Sequence, residues 1–492
     1  MKKLRIALVE TKSPAHHIYR MYLFPRGVVL LATIMKHFLK NMWREGWLRS
    51  VGYEDFEIKV FYEDTREIDW SFIGKCSFVF FSTITCTAPA TYKYAVAIKE
   101  RWPHICTAVG GIHVSFLPEE AFKEGKFDYV FRGEGEIAIM DFLSTKLGIR
   151  GELPRVSGLY WQENSRLVSG PETMGKQMDM DDLLIPDFNL VDGFQLGLVV
   201  PVQTARGCPY NCRFCSVIQM FGRQCRFRSI ENVVREVRTH KPKRKEVFFT
   251  DDNFTAQPER TIALLNAIMA DSHRNLSKGF VCQVHAADSL RHPELVKVMA
   301  KSGCKRVQVG FESINPKTLK SYKKKQSVPQ IKQAIKRFHD AGIGIHGMFV
   351  FGGDDDTSET ISETVAFSRE MKLESVQFMI LTPLPGTPLY SDFSSEGRII
   401  CSDWSRFDGH HVVFQPKQMS PYELQQLTNK AHEDFYSEQQ IRDRRWGLIN
   451  PRRGCGGSFV KRFYDLKISQ HAHALAHSFS RNNQSYRESL PR

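Results

Sequence analysis

The first 140 residues alternate short apolar runs with longer segments in which apolar residues recur at helical spacing, and this alternation constrains the fold more than any other feature. Strands followed by helices in this order form parallel sheets that helices cover on both faces. The pattern therefore predicts an α/β fold whose N-terminal domain is doubly wound and Rossmann-like. Its strands are predicted at residues 4–10, 57–62, 77–83, 105–111 and 127–133.

A second series of strands and helices follows the first. Its six strand–helix units predict a curved parallel sheet, either a partial (βα)6 barrel or most of a closed barrel. Chemistry on such sheets gathers at the C-terminal ends of the strands. The strands are predicted at residues 198–205, 246–251, 279–286, 306–313, 344–352 and 375–386.

Local motifs complete the predicted domain organisation. The sequence GLYWQENSRLVSG predicts a hairpin, and SPYE at 420–423 predicts the start of a helix that runs to about Arg442. The predicted parts are a Rossmann-like domain at 1–145, a linker with the hairpin at 146–195, a partial barrel at 196–394 and a small, mostly helical region with a basic tail at 395–492.

Composition and charge indicate the cellular setting. Of the 492 residues, 42% are hydrophobic and 25% are charged, which is typical of a globular protein with a substantial core. The apolar runs near the N-terminus are too short to span a bilayer, and the eleven cysteines form no regular framework, so a reduced, cytoplasmic protein is predicted. Of the net charge of +14, residues 441–492 carry +8, from eleven Lys and Arg against three Asp and Glu. This basic tail indicates either contact with an anionic membrane, nucleic acid or an acidic partner, or a solvated segment.

Three cysteines stand close together in a loop directly after the first strand of the second series. Cys208, Cys212 and Cys215 have the spacing C-x3-C-x2-C. Three thiolates suit an iron–sulfur cluster, and a four-iron cluster held by three cysteines leaves one iron able to bind something else. The alternative is a zinc site completed by a histidine, but no histidine lies between residues 210 and 238.

This cysteine motif, with the aromatic Phe214 before its last cysteine, resembles the signature of radical S-adenosylmethionine (SAM) enzymes. The resemblance extends over the second series, through FFTDDNF, VGFES and LTPLPGTPLY. It implies a [4Fe–4S] cluster whose open iron binds the methionine part of SAM. An electron from the cluster then cleaves SAM to methionine and a 5′-deoxyadenosyl radical, which can take hydrogen from an unactivated carbon.

The same resemblance implies positions for the SAM contacts. Asp251, Asp252 and Asn253 are expected near the methionine amino group. Glu312 and Ser313 are expected near the ribose, and Gly310 would allow close approach of the backbone. Capping of strand ends is the alternative role for each of these side chains.

The N-terminal domain resembles the cobalamin-binding domain that precedes some radical SAM domains. The resemblance lies in STIT, VGGIHVSFLPEEAF and FDYVFRGEGE. The sequence lacks the Asp-x-His-x-x-Gly motif after its first strand, where His16 and His17 are wrongly spaced, so cobalamin is expected without a protein histidine on cobalt. The candidate cobalamin contacts at the three strand ends are Ser82, Thr83, Thr85, Gly110, Gly111, His113, Gly133, Glu134 and Gly135.

Together the two resemblances imply a cobalamin-dependent radical SAM enzyme, most similar to the class B methylases that act on hopanoids. The expected reaction is methylation of an unactivated carbon in an apolar substrate such as a lipid, with a flavodoxin- or ferredoxin-type electron donor. Radical cyclisation, as in anaerobic Mg-protoporphyrin ester cyclases, oxidation or carbon–carbon coupling is the alternative outcome. Methylthiolation of tRNA and non-catalytic electron transfer are less favoured, and nucleic acid is therefore not the expected partner.

Overall fold

Two mainly parallel sheets organise the chain, and each is the centre of its own unit. The first unit contains the described residues up to 193 together with Asp403–Ser405, and the second contains the other described residues from 199 onward. The structure, a computed structural model, describes residues 2–12, 26–149, 151–193, 199–240, 245–271, 276, 278–449, 467, 470–474, 478 and 483–492. His16, His17 and much of the basic tail lie outside the described residues.

The sheet of the first unit contains seven strands among the described residues, namely β1 (Lys2–Glu10), β2 (Tyr53–Tyr62), β3 (Phe78–Ser82), β4 (Cys106–Gly110), β5 (Tyr129–Phe131), β6 (Leu159–Glu163) and β7 (Arg166–Ser169). Their order is β2-β1-β3-β4-β5-β6-β7, with parallel pairing from β2 through β5. This arrangement confirms the doubly wound prediction. The strand order reverses at β1, and doubly wound sheets bind ligands beyond the C-terminal strand ends at such a reversal.

Helices bury both faces of this first sheet, which explains why its inner strands β3 and β5 are almost wholly apolar. Along β3, Phe78 and Phe80 point into one apolar core, whereas Val79 and Phe81 point into the other. The first core includes residues of α1 and α7, and the second includes residues of α4 and α6. The helices of this unit are α1 (Arg26–Arg44), α2 (Trp47–Ser50), α3 (Trp70–Ile73), α4 (Ala88–Arg101), α5 (Ile112–Phe116), α6 (Pro118–Gly125) and α7 (Glu136–Lys146).

The predicted hairpin belongs to the first sheet rather than to a separate linker. Strand β6 pairs antiparallel with β5, so that Val130 lies opposite Tyr160, and β7 completes the hairpin. The short strand β5 would otherwise leave a row of unpaired backbone groups at the sheet edge. Tyr160 and Trp161 of β6 are buried, so the hairpin also adds to the apolar core of this unit.

The second unit is built on a six-stranded parallel sheet in the order β15-β14-β13-β12-β11-β8, which confirms the predicted partial barrel. Each of its strands overlaps one of the six predicted strands. A separate two-stranded sheet pairs β9 with β10. The strands of this unit are β8 (Val199–Val202), β9 (Ala205–Arg206), β10 (Arg226–Phe227), β11 (Glu246–Phe249), β12 (Phe280–Val284), β13 (Cys304–Glu312), β14 (Gly344–Phe351) and β15 (Ser375–Ile380).

Helices follow most of these strands, as the sequence predicted, and further helices lie near the C-terminus. They are α8 (Val217–Phe221), α9 (Ile230–Thr239), α10 (Pro258–Ala270), α11 (Ala286–Arg291), α12 (Pro293–Lys301), α13 (Pro316–Ser321), α14 (Val328–Asp340), α15 (Ser358–Glu370), α16 (Pro388–Ser395), α17 (Pro421–Phe435), α18 (Glu438–Ile449) and α19 (Gln484–Ser489). None of the helices in the described ranges is long and apolar enough to cross a membrane.

Helix α17 covers the outer edge of β15. The Tyr436 hydroxyl accepts from the N–H of Val376 at 2.8 Å and donates to its carbonyl at 2.7 Å, while His432 Nε2 accepts from the N–H of Phe378 at 3.2 Å. These contacts satisfy backbone groups that an edge strand leaves unpaired. The helix predicted to run to about Arg442 ends instead at the residue before Tyr436, whose side chain is committed to this edge.

Candidate active site

The three cysteines lie on a loop whose two ends are paired. We call residues 207–225 the cluster loop. Strand β9 enters it and β10 leaves it, and these strands pair antiparallel, with Arg206 opposite Arg226. At the base of the loop, the Cys225 thiol lies 3.4 Å from the carbonyl oxygen of Gly207. The loop is therefore closed at the C-terminal end of β8, where the sequence placed it.

Two helices of the barrel hold the middle of the cluster loop. The N–H of Arg213 donates to the Tyr322 carbonyl at 3.2 Å, directly after α13, and the Phe214 ring packs edge-on against the Tyr322 ring at 5.3 Å. The Arg213 guanidinium forms an ion pair with Asp392 of α16. These contacts fix the backbone between Cys212 and Cys215, as ligands of a cluster require.

A third contact fixes the start of the cluster loop. The Tyr210 ring stacks on His285 with the ring centroids 3.7 Å apart, and its hydroxyl donates to Asp288 at 2.7 Å. The same carboxylate accepts from the Asn253 amide and the Thr255 hydroxyl, each at 3.0 Å. Asn253, a predicted SAM contact, thus connects the end of β11 to α11 and, through Asp288, to the cluster loop.

The three thiols are partly buried, and burial disfavours their ionised form. It raises the pKa of Cys208 to about 12 and that of Cys212 to about 11, and it raises the pKa of Cys215 as well. Thiolates at neutral pH therefore depend on a bound metal that displaces the protons. Within the described residues, no three His, Cys, Asp or Glu side chains are grouped so as to hold a single metal ion.

A buried ion pair lies beside the cysteines at the end of β13. Lys324 Nζ donates to Glu312 Oε1 at 2.8 Å, and each side chain is only 9% exposed. Burial opposes the charge of Lys324, but Glu312 and the nearby Cys212 and Cys208 favour it, and the net effect raises the pKa of the ammonium. A permanent positive charge next to the cysteines suits the negative charge of a thiolate-ligated cluster. Lys324 was not predicted from the sequence.

The backbone around Glu312 is unusual. Glu312 has φ +62°, a left-handed conformation that is rare outside glycine, and the pairing of β13 with β14 shifts register there. Such conformations persist where the surrounding structure enforces them, often at functional sites. A Cβ on Gly310 would overlap the carboxylate of Glu312, so this glycine makes room for the ion pair.

The other predicted SAM contacts at strand ends already have protein partners. Asp251 accepts from the N–H of Thr204 at 2.6 Å, from its hydroxyl at 2.5 Å and from the N–H of Ala205 at 3.1 Å. Ser313 accepts from the N–H of Asn315 at 3.0 Å. These are capping contacts, the alternative role stated for such residues. Asp252 is less buried than Asp251, and burial together with the Asp251 charge raises its pKa to about 6.

A donor without a partner lies next to these groups. His285 Nδ1 accepts from the N–H of Ala287 at 3.2 Å, which puts the proton of the neutral ring on Nε2. Burial lowers the pKa of His285 to about 2, so the ring stays neutral. Its buried Nε2–H has no hydrogen-bond partner in the described part of the chain, and a bound ligand would supply one.

In the first unit, the predicted cobalamin residues lie at the C-terminal ends of β3 and β4. Ser82 ends β3 and pairs with Gly110, which ends β4. Gly111 has φ +108°, and a Cβ there would overlap the Thr83 carbonyl, so glycine is required by close packing of the two loops. Thr83 and Thr85 are both buried.

The loop after β5 is tied to the loop after β4 through Ser115. The buried Ser115 hydroxyl donates to the Gly111 carbonyl at 2.8 Å and accepts from the N–H of Gly133 at 3.0 Å. Gly133 has φ +82° and forms a parallel bridge with Gly175. Glu134 is buried, and the last predicted residue at this strand end, Gly135, directly precedes α7.

His113 is buried on the same side of the sheet. Its Nε2 lies 3.2 Å from Glu120, and its ring packs edge-on against Trp404, whose indole N–H donates to the same carboxylate at 2.9 Å. Its Nδ1 is buried and has no hydrogen-bond partner among the described residues. This unpartnered ring nitrogen, beside loops that are tied together, fits a polar ligand at these strand ends.

Two family models match the chain. The radical SAM superfamily matches residues 202–368, and the B12 binding domain matches residues 25–143. The chain combines the two domains of cobalamin-dependent radical SAM enzymes. The match confirms SAM, a [4Fe–4S] cluster and cobalamin as its cofactors. The site residues fit them: three thiols lie beside a buried cation in one unit, and glycine loops are tied together at the C-terminal strand ends of the other.

Characterised and uncharacterised methyltransferases are among the relatives of this enzyme. An uncharacterized methyltransferase of Pyrococcus horikoshii is 29% identical over 413 residues, which cover 80% of this chain and 87% of the relative. The bacteriochlorophyllide d C-12(1)-methyltransferase of Chlorobaculum tepidum is 29% identical over 373 residues, covering 73% and 75%. Hopanoid methylases and anaerobic magnesium-protoporphyrin IX monomethyl ester cyclases are also relatives, as the sequence resemblance implied.

A solved structure has the same overall fold. The radical SAM methyltransferase TsrM from Kitasatospora setae superposes on this chain with a TM-score of 0.68. The superposition covers 96% of this chain and 100% of the TsrM chain. Its sequence is 15% identical to this chain, so the similarity concerns the fold alone.

Proposed function

We propose that this enzyme transfers a methyl group from SAM to an unactivated carbon of an apolar substrate. The observation that carries the proposal is the combination of a radical SAM domain with a B12 binding domain in one chain. When bound, the cluster supplies the electron that cleaves SAM, and cobalamin supplies a carrier for the methyl group. Relatives named as methyltransferases support this outcome over cyclisation.

The side chains of the second unit hold and orient the reactants. Cys208, Cys212 and Cys215 would ligate three irons, while Lys324 offsets negative charge beside them. Phe214 packs its ring on Tyr322 and thereby keeps the cluster loop in place.

The contacts to SAM follow from the same strand ends. We place Asp252 and Asn253 near its amino group and Glu312 and Ser313 near its ribose. In this assignment Asp251 acts indirectly, because both of its oxygens already bind Thr204 and Ala205. The unpartnered Nε2–H of His285 is available to a further polar atom of the bound reactants.

The substrate class is inferred from the relatives. Their names give bacteriochlorophyllide and hopanoids as methylated molecules, and both are largely apolar. We propose a cytoplasmic enzyme that takes a lipid or similar substrate from an anionic membrane, with the basic residues of 441–492 making the contact. A flavodoxin- or ferredoxin-type protein would supply the electron.

The test is reconstitution without oxygen from iron, sulfide, cobalamin and a reductant, followed by reaction with SAM carrying a deuterated methyl group and with lipid extracts. Mass spectrometry should find a product that has gained the labelled methyl, together with S-adenosylhomocysteine and 5′-deoxyadenosine. The Cys212→Ala variant should form neither the labelled product nor 5′-deoxyadenosine. A product that has lost hydrogen and carries no label would instead establish cyclisation or coupling.

A further inference from the structure

The segment that follows β3 reverses the usual distribution of polar and apolar side chains. Within residues 83–88, Thr83, Thr85 and Thr87 are 5% exposed or less, whereas Ile84 is 51% exposed. No other large apolar side chain in the described ranges is as exposed as Ile84. Exposure of an isolated apolar residue is ordinary, but its exposure between buried hydroxyl groups indicates a specific local arrangement.

Hydrogen bonds of the threonines hold Ile84 in this outward position. The hydroxyl groups of Thr83 and Thr87 lie 2.9 Å apart, and that of Thr83 also donates to the Ile84 carbonyl at 2.9 Å. The Ile84 N–H donates to the Thr87 hydroxyl at 3.1 Å, which starts the short 3-10 helix at 85–87. The hydroxyls therefore satisfy the backbone of the turn, and the side chain between them is left to face outward.

Ile84 also lies where this type of sheet binds its ligand. It follows the C-terminal end of β3, the strand next to β1, where the strand order reverses. The glycine loop after β4 packs directly on the backbone of the preceding residue, Thr83, whose N–H donates to the Gly110 carbonyl at 3.0 Å. An outward apolar side chain is thus held on a rigid base at the predicted cobalamin site.

We propose that Ile84 is the side chain on which the corrin ring of cobalamin rests, and that it leaves the cobalt without a protein ligand on that face. A corrin is a broad, largely apolar ring that can cover such a side chain and remove it from water. Isoleucine has no lone pair to donate, so it occupies the place of an axial ligand without acting as one.

This inference rests on the proposed methyl transfer, because a cobalt without an axial protein ligand has a use only if it carries the methyl group. Removing an axial donor lowers electron density at cobalt and makes its reduction easier. A reduced cobalt centre is the form that can accept a methyl group from SAM. The sequence predicts that no histidine binds the cobalt, but it does not indicate which residue lies in that place.

The decisive experiment replaces Ile84 with a potential ligand. Ile84→His and the control Leu167→His, which changes another exposed apolar residue of the same unit, are loaded with cobalamin and reduced to the Co(II) state. With Ile84 on this face keeping the cofactor's own benzimidazole nitrogen off the cobalt as well, electron paramagnetic resonance should show no axial nitrogen splitting in the unmodified protein or the control. Ile84→His should show nitrogen splitting and a more negative potential for further reduction of the cobalt.

A second measurement uses binding rather than spectroscopy. Ile84→Ala should weaken cobalamin binding about fivefold, because roughly half of an isoleucine side chain is no longer removed from water, and Leu167→Ala should leave it unchanged. If the unmodified protein binds cobalamin while the spectrum of Ile84→His matches that of Leu167→His, the inference is overturned and the proposed methyl transfer still stands. Failure of the unmodified protein to bind cobalamin would overturn both.

Discussion

The ion pair between Lys324 and Glu312 gives a prediction whose size follows from its burial. The two side chains are each 9% exposed and their charged atoms lie 2.8 Å apart. Removing one member of such a pair leaves an uncompensated charge in a poorly solvated place, which costs about 3–5 kcal/mol. We therefore expect Lys324→Met to lower the free energy of unfolding of the second unit by about 3–5 kcal/mol.

The neighbouring lysine supplies a matched control. Lys325 is exposed and belongs to the same run of three lysines, so Lys325→Met should change the free energy of unfolding by less than about 0.5 kcal/mol. The double variant Glu312→Gln with Lys324→Met restores neutrality. It should cost less than the sum of the two single changes, by about 2 kcal/mol.

The assay is urea unfolding of the cofactor-free protein under reducing conditions. The linear dependence of the unfolding free energy on urea gives each value. The unmodified protein, Glu312→Gln, Lys324→Met and the double variant together form a double-mutant cycle. If Lys324→Met is no more destabilising than Lys325→Met, or if the cycle is additive within about 0.5 kcal/mol, the pair does not stabilise the site as described.

Three further predictions test other parts of the molecule. Cys212→Ala should abolish the iron–sulfur absorption of the reconstituted protein, whereas Cys225→Ala should retain it; loss in both would contradict the ligand assignment. Gly111→Ala should prevent folding of the first unit, because its Cβ would overlap the Thr83 carbonyl, whereas Gly135→Ala, whose Cβ would lie 3.5 Å from a Leu31 methyl group, should fold, as circular dichroism can show. Burial lowers the pKa of His432 to about 3, whereas a histidine in the unfolded chain titrates near its ordinary pKa of about 6.5. As the pH falls from about 6.5 to 3, the unfolded chain therefore binds a proton that the folded protein does not, and the free energy of unfolding should decrease. His432→Gln should make this pH dependence less steep in urea titrations, and an unchanged pH dependence would refute the prediction.

The sequence predicted the strands because burial on both faces makes them continuous apolar runs. In β3 the alternating directions of Phe80 and Phe81 fill two different cores, so residues 78–81 are all apolar. The pairing of the hairpin with β5 was not predictable from local patterns, because it depends on which strand edge remains open. The early end of α17 depends likewise on a distant partner, the backbone of Val376.

The site was predicted only where chemistry fixes both residue type and spacing, as it does for Cys208, Cys212 and Cys215. Lys324 was missed because a run of three lysines ordinarily indicates a solvated surface, and only the fold shows that the middle one is buried. Ile84 was missed because its polar neighbours were the expected ligand contacts. In both cases the informative quantity is burial, which composition alone does not give.

The most direct test of the whole account is the formation of 5′-deoxyadenosine from SAM by the anaerobically reconstituted, reduced enzyme. We predict that the protein with its four-iron cluster forms this product and that Cys212→Ala does not. An intact four-iron cluster that leaves SAM uncleaved under reducing conditions would contradict the account.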